Sequence, residues 1–262
     1  MWIMSQIKTL RGGRLTTLRE RYWIACLLSM LPLPLAWLFR IFGSDKSQTG
    51  QHAYGGVYAE LFRPYRYARL KILEIGVLSG ASMLGWRAYF PSGTIIGCDI
   101  EDKSAFAMGR IRLHIVDQSS SADLARLRAA EGAFEIIVDD GSHVNAHQIF
   151  TFFEMFGSLK SGGLYIIEDV QTSYWPVGFG GAEVQDPAFA ATCMGTFLEL
   201  ARYINHAEFF RQDNTNAAYL RIAQDITEIQ FRHNLIIIRK GDNRQPSNFK
   251  DYVIEKFDWH PA

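Results

Sequence analysis

The sequence is short of cysteine, of surplus charge and of any plain membrane span. Its three cysteines, Cys26, Cys98 and Cys193, are odd in number and share no metal-ligand spacing. That argues against a disulfide framework or a zinc ribbon and makes a reducing, cytoplasmic setting the default. No Asn-x-Ser/Thr acceptor occurs, which points the same way. Lys+Arg and Asp+Glu both number 27, so no bulk basic field exists to hold nucleic acid. The Gly-x-Gly-x-x-Gly loop of dinucleotide-binding folds is missing as well. With 48% hydrophobic and 21% charged residues over 262 positions, wholesale disorder is excluded. The length suits one large domain, or one domain with an N-terminal extension.

One segment departs from this picture. Tyr22 to Phe39 carries no charge, and Lys8, Arg11, Arg14, Arg19 and Arg21 precede it against the single acid Glu20. A spanning helix needs about 20 apolar residues, and Pro32 and Pro34 would break one near its middle. A signal peptide would need a small-residue cleavage site, which Arg40-Ile41-Phe42 does not supply. Two readings fit better: a segment lying on a membrane surface, or a pair of short helices packed on the domain or on a second subunit. Residues 1–45 are taken as an extension, and 46–262 as the main domain.

From Lys71 onward strands and helices alternate. Lys71–Val77, Thr94–Asp99, Arg112–Val116, Phe134–Val138 and Leu164–Ile167 read as buried strands. Ala81–Phe90, Ser121–Glu131 and Ala146–Leu159 read as helices, the last stopped by Gly162-Gly163. Asp225–His233 and Asn234–Lys240 have no room for a crossover and predict an antiparallel hairpin. The expectation is an α/β fold: a doubly wound, mostly parallel, seven-stranded Rossmann-like sheet with an antiparallel C-terminal hairpin and an N-terminal helical extension.

In such sheets ligands bind beyond the carboxyl ends of the strands. Those ends carry Glu74/Gly76/Gly80, Asp99, Asp117/Gln118, Asp139/Asp140/His143 and Glu168/Asp169. Glu74-x-Gly76-x-x-x-Gly80 lacks pyrophosphate spacing, so a ligand without phosphates fits better. Gly76 and Gly80 allow close backbone approach. Asp99 is placed to accept ribose hydroxyls, and Asp117-Gln118 to read an adenine amino group. Together they suit S-adenosylmethionine. Asp140, Glu168 and Asp169 close two neighbouring strands, and three converging carboxylates repel unless a hard divalent cation, Mg2+ or Mn2+, joins them. His143 would sit on the rim, where a histidine can take a proton near neutral pH. His147 competes with it but points toward the helix surface.

The blocks Glu-Ile-Gly-Val, Ile-Gly-Cys-Asp-Ile, Ile-Ile-Val-Asp-Asp-Gly-Ser-His-Val-Asn-Ala-His and Gly-Gly-Leu-Tyr-Ile-Ile-Glu-Asp-Val-Gln-Thr-Ser-Tyr-Trp resemble the metal-dependent sugar O-methyltransferases of macrolide biosynthesis. Phe42-Gly-Ser-Asp-Lys-Ser with His52 and Tyr54 is similar to the segment before their first strand. The resemblance covers residues 42 to 240. It implies a class I methyltransferase fold, with Asp140, Glu168 and Asp169 holding magnesium and His143 as general base. It also implies that Glu74, Gly76, Asp99, Gln118 and Asp139 line the S-adenosylmethionine site, and that the acceptor is a glycoside. The loop from Val170 to Asp186 should cover that acceptor. The macrolide enzymes carry a separate N-terminal domain where this chain has a short segment, so the acceptor's identity and a homo-oligomer do not carry over. Peripheral membrane contact through residues 22–42 stays an open expectation. An O-methyltransferase for a small aromatic diol and a non-catalytic nucleoside-binding module are the alternatives.

Overall fold

A computed structural model describes residues 17–47, 52–209, 215–247 and 249–257. Lys8, Arg11 and Arg14 lie outside the described residues. The chain divides into two compact units, one ending at Phe134 and the other beginning at Glu135.

The first unit opens with α1 (Leu18–Leu28), started by a capping box. The Thr17 hydroxyl accepts from Glu20 N, and the Glu20 carboxylate accepts from Thr17 N. Pro32 and Pro34 then separate it from α2 (Leu35–Phe42), which ends on left-handed Gly43. The charge-free run is therefore two short helices. Among the described residues no helix is long and apolar enough to cross a membrane. Helix α3 spans Gly55–Phe62, and α4 spans Ala81–Tyr89. Phe39 of α2 meets Trp86 of α4 edge-on with ring centroids 4.7 Å apart, while Tyr58 and Phe62 of α3 reach the same indole at 5.3 and 5.5 Å. Gly85 permits this approach, since a Cβ there would lie 2.5 Å from the Phe39 ring. Such ring pairs contribute about 0.5–1.5 kcal/mol each beyond burial.

Strands β1 (Lys71–Ile75), β2 (Thr94–Asp99) and β3 (Ile111–Ile115) pair in parallel, Ile72 opposite Ile95 and Ile95 opposite Ile111. Helix α5 (Ser121–Glu131) is capped by the Ser120 hydroxyl, which accepts from Asp123 N.

The second unit contains most of β4 (Phe134–Asp139), followed by α6 (Asn145–Met155) and β5 (Leu159–Glu168). Next come α7 (Cys193–Arg202), α8 (Ala217–Ala223), β6 (Ile226–Arg232), β7 (Leu235–Lys240) and α9 (Lys250–Phe257). The expected hairpin forms: β6 and β7 are antiparallel, turned at Asn234 with φ +61°, and β7 also pairs antiparallel with β5. Phe152 of α6 anchors the core, with Phe156, Tyr165 and Phe197 at 5.0, 5.2 and 4.8 Å. The seven strands run in the order β3-β2-β1-β4-β5-β7-β6.

One boundary is corrected. The helix expected to reach Leu159 stops at Met155, because Phe156–Ser158 tightens into a 3-10 turn and Leu159 is already extended. Gly162-Gly163 is therefore no helix stop but lies within β5. There Gly162 takes φ +79°, and a Cβ on Gly163 would meet the Glu135 carbonyl at 2.8 Å.

Candidate active site

In the first unit the loop after β1 is bent by backbone that glycine adopts cheaply. Gly76 has φ +89° and Gly80 φ +71°, and a Cβ on Gly80 would strike the Phe106 ring at 2.6 Å. Asp99, at the end of β2, fixes the loop. Its Oδ2 accepts from Val77 N at 2.9 Å and Leu78 N at 3.2 Å, and its Oδ1 accepts from Glu101 N at 2.9 Å. Partial burial works to raise the Asp99 carboxyl. The backbone donors of Glu101, Val77 and Leu78, with the Lys103 charge, outweigh it and hold the group below the usual carboxylate range.

Glu74 is fully buried: its Oε2 accepts from the Ser82 hydroxyl at 2.7 Å, and its Oε1 lies 3.6 Å from Lys46 Nζ. It thus steadies the loop after β1 from within the protein. Asp117 shapes a turn, its Oδ1 accepting from Ser119 N and Oγ at 2.8 and 2.6 Å, while Gln118 is buried next to it in sequence.

In the second unit, β4 and β5 end on the acids. Asp139 is fully buried, with the Tyr165 hydroxyl 3.5 Å from its Oδ2. Burial, followed by the Asp139 charge, pushes the Cys193 thiol well up. Asp140, His143 and Asp169 converge, each offering a ligand atom within 4.8 Å of the others. His143 Nε2 is 3.6 Å from Asp169 Oδ2 and 3.9 Å from Asp140 Oδ1. Its Nδ1 is buried without a hydrogen-bond partner. His143 and Asp169 both sit at φ +56°, a left-handed conformation that costs a side-chain-bearing residue of this kind about 1–3 kcal/mol.

Two carboxylates and an imidazole at this spacing fit a divalent cation. Glu168, predicted as a third acid ligand, ends β5 with 1% exposure and stands outside the group that converges. His147 is separate from it, its Nδ1 within 2.9 Å of the Ser142 hydroxyl.

Sequence reading missed Asn145, the residue that clasps the following loop. Its Nδ2 donates to Thr172 O at 3.2 Å and Phe179 O at 2.9 Å, and its Oδ1 accepts from Ser173 Oγ at 2.8 Å and Cys193 N at 2.6 Å. Gly181 closes the same loop, since a Cβ there would lie 2.3 Å from Thr172 O. The loop so held leaves Tyr174, Trp175, Val177 and Val184 exposed. The only signal for Asn145 was its place two residues after His143.

No protein-family model matches the chain. It is 37% identical over 193 residues to mycinamicin VI 2''-O-methyltransferase of Micromonospora griseorubida, covering 71% of this chain and 47% of that protein. It is 36% identical over 216 residues to 8-demethyl-8-alpha-L-rhamnosyl tetracenomycin-C 2'-O-methyltransferase of Streptomyces olivaceus, covering 80% and 55%. The mycinamycin-pathway methyltransferase MycE, solved in complex with Mg and SAH, superposes with a TM-score of 0.76 at 35% identity, over 82% of this chain and 56% of that one. The chain thus spans about half the length of the curated relatives it matches. Over that shared half it is similar in sequence to these O-methyltransferases, and its sheet is that of a class I methyltransferase.

Proposed function

We propose that this chain moves a methyl group from S-adenosylmethionine to a sugar hydroxyl of a glycoside, with Mg2+ or Mn2+ at the acid cluster. The observation that carries the reading is the convergence of Asp140, His143 and Asp169, with backbone strain at two of the three. Residues 46–262 form the methyltransferase domain in this reading, and 1–45 its extension.

On the donor side, Gly76 and Gly80 let the backbone close on the ligand, and the Asp99 carboxylate accepts from ribose hydroxyls. Glu74 holds the loop, while Asp117, Gln118 and Asp139 complete the donor site. On the acceptor side, Asp140, Glu168 and Asp169 hold the ion, which when bound supplies Lewis-acid acidification of the acceptor hydroxyl. His143 Nε2 takes that hydroxyl's proton as general base. The oxygen attacks the sulfonium methyl carbon, the carbon–sulfur bond breaks, and a methyl ether and neutral S-adenosylhomocysteine leave. Because the donor is already activated, the protein's work is alignment and proton removal.

A second reading is favoured by the 3.6 and 3.9 Å contacts: His143 is itself the third ligand in place of Glu168. The His143→Ala variant separates the two. As base, its loss cuts turnover by about a hundredfold or more with metal affinity kept; as ligand, its loss weakens metal binding. The overall reading is tested by calorimetric titration of S-adenosylmethionine into the purified chain. Methyl transfer to a rhamnoside and glucoside series, with and without magnesium, follows. Donor binding with metal-dependent methyl ether formation supports it. A folded chain that binds no donor refutes it.

A further inference from the structure

Charge is divided unevenly along this neutral chain. The first 71 residues hold 11 of the 27 Lys and Arg but only 3 of the 27 Asp and Glu, leaving 16 basic against 24 acidic residues for the rest. In the described part of that segment, exposed Arg19, Arg63 and Arg69 accompany an exposed apolar face. Trp23 and Leu27, four residues apart on α1, share one side of the helix, and Met30 and Leu31 continue it into the turn before Pro32. Trp23 is 61% exposed and Met30 80%.

Arg66 ties a second segment to this turn, donating from Nη2 to Leu31 O at 3.0 Å. Its guanidinium lies 4.6 Å from the Tyr89 ring and 5.6 Å from that of Tyr67, which is 68% exposed. Exposed Arg63 and Arg69 flank it in sequence, and Arg19 stands one turn before Trp23. The acid of α1, Glu20, accepts from the Thr17 amide in the capping box.

A single exposed apolar residue needs no explanation, but Trp, Leu, Met and Tyr clustered among arginines do. The surplus of positive charge calls for an anionic surface with an apolar layer under it, which is what a bilayer carrying acidic lipid presents. We propose that the turn at Met30-Leu31, with Trp23, Leu27, Tyr67 and the flanking arginines, docks this chain on anionic lipid membranes. The mode is interfacial, since no described helix is a candidate span. Docking is a property of the surface and holds whether or not the methyltransferase reading does.

Co-sedimentation of the full chain with phosphatidylcholine vesicles, with and without phosphatidylglycerol, tests it. Expected is binding to the acidic vesicles alone, weakened by salt. It should fall about tenfold or more in Trp23→Ser and in Met30→Asp, because apolar insertion and charge act together. Arg202→Glu, which removes the same sign of charge on α7, should bind within about twofold of the native chain once screening is counted. Both patch substitutions are at exposed positions, and circular dichroism checks that they fold. No binding to acidic vesicles overturns the proposal, as does equal binding by Met30→Asp. A dimer in sedimentation velocity that Met30→Asp dissolves, without vesicle binding, assigns the face to a second copy instead.

Discussion

Replacing Lys46 with methionine gives the sharpest test of how the loop after β1 is held. Lys46 Nζ lies 3.6 Å from Glu74 Oε1, and the two side chains are 2% and 0% exposed. At an effective dielectric constant of about 20, unit charges at that separation attract by about 4–5 kcal/mol. Much of this is offset by the cost of taking both charges out of water, so the pair's net worth is small. Removing the cation alone is another matter. It leaves the Glu74 charge buried at the root of the loop, and breaking one side of such a pair costs about 3–5 kcal/mol.

For a chain of this size that is a fall in Tm of roughly 10 °C. Methionine keeps most of the lysine volume, so packing loss adds little. Scanning calorimetry on Lys46→Met, Glu74→Met and the double variant forms a cycle that isolates the coupling. The double variant should recover much of the loss, because no charge is left stranded. S-adenosylmethionine affinity, read by titration, should fall in Lys46→Met as the loop loosens. A single variant within about 1 kcal/mol of the native chain, or a double variant worse than the single one, refutes the reasoning.

Gly80→Ala should weaken donor binding and cost about 1–3 kcal/mol, because alanine must take φ +71° and its Cβ meets the Phe106 ring at 2.6 Å. Calorimetric titration and a urea melt read the two effects, and native-like values in both would contradict the loop geometry. The Asp99 carboxyl sits below its ordinary range when folded, through donors that outweigh burial. Its stabilising contribution is therefore fully present above the ordinary value near 3.9 and is lost as pH falls through the lower, folded value. Urea melts should show native protein ahead of Asp99→Asn at about pH 6, with the gap closing on acidification below about pH 4. A gap constant with pH would mean that the loop does not depend on that charge.

Strand β2 and helix α5 were legible to the residue. The first is a β-branched run ending on an acid, and the second follows a serine that caps it. The antiparallel end was legible because two apolar runs with no room for a helix between them can only turn back. Helices α3, α7, α8 and α9 went unread, being only 7 to 10 residues long, below the length at which a helix stands on its own.

The acids of the site were visible because each closes a strand, which fixes where a carboxylate goes without knowledge of its neighbours. Asn145 was not. Its four side-chain bonds reach Thr172, Ser173, Phe179 and Cys193, residues 27 to 48 positions away, and nothing local announces such a clasp.

The strain at His143 was equally invisible, and it supplies the last test. Sequence proposes a histidine for its chemistry; the structure adds that its backbone is one that glycine would hold more cheaply, at φ +56°. If the imidazole is what the site retains, the fold is strained for its sake. His143→Gly and His143→Ala should then be equally inactive yet differ in stability in an unusual order. Glycine relieves about 1–2 kcal/mol of left-handed strain. It gives back about 0.4–1 kcal/mol through the greater freedom of the unfolded chain.

The balance favours glycine by about 1 kcal/mol, a Tm difference of about 2–4 °C in a chain this long. At an ordinary φ the order would be reversed. Equal activity loss with glycine the more stable variant would show that the backbone is strained where the site needs the imidazole. Alanine at or above glycine in Tm would show that the turn costs nothing, and the strain could no longer be counted as a mark of function.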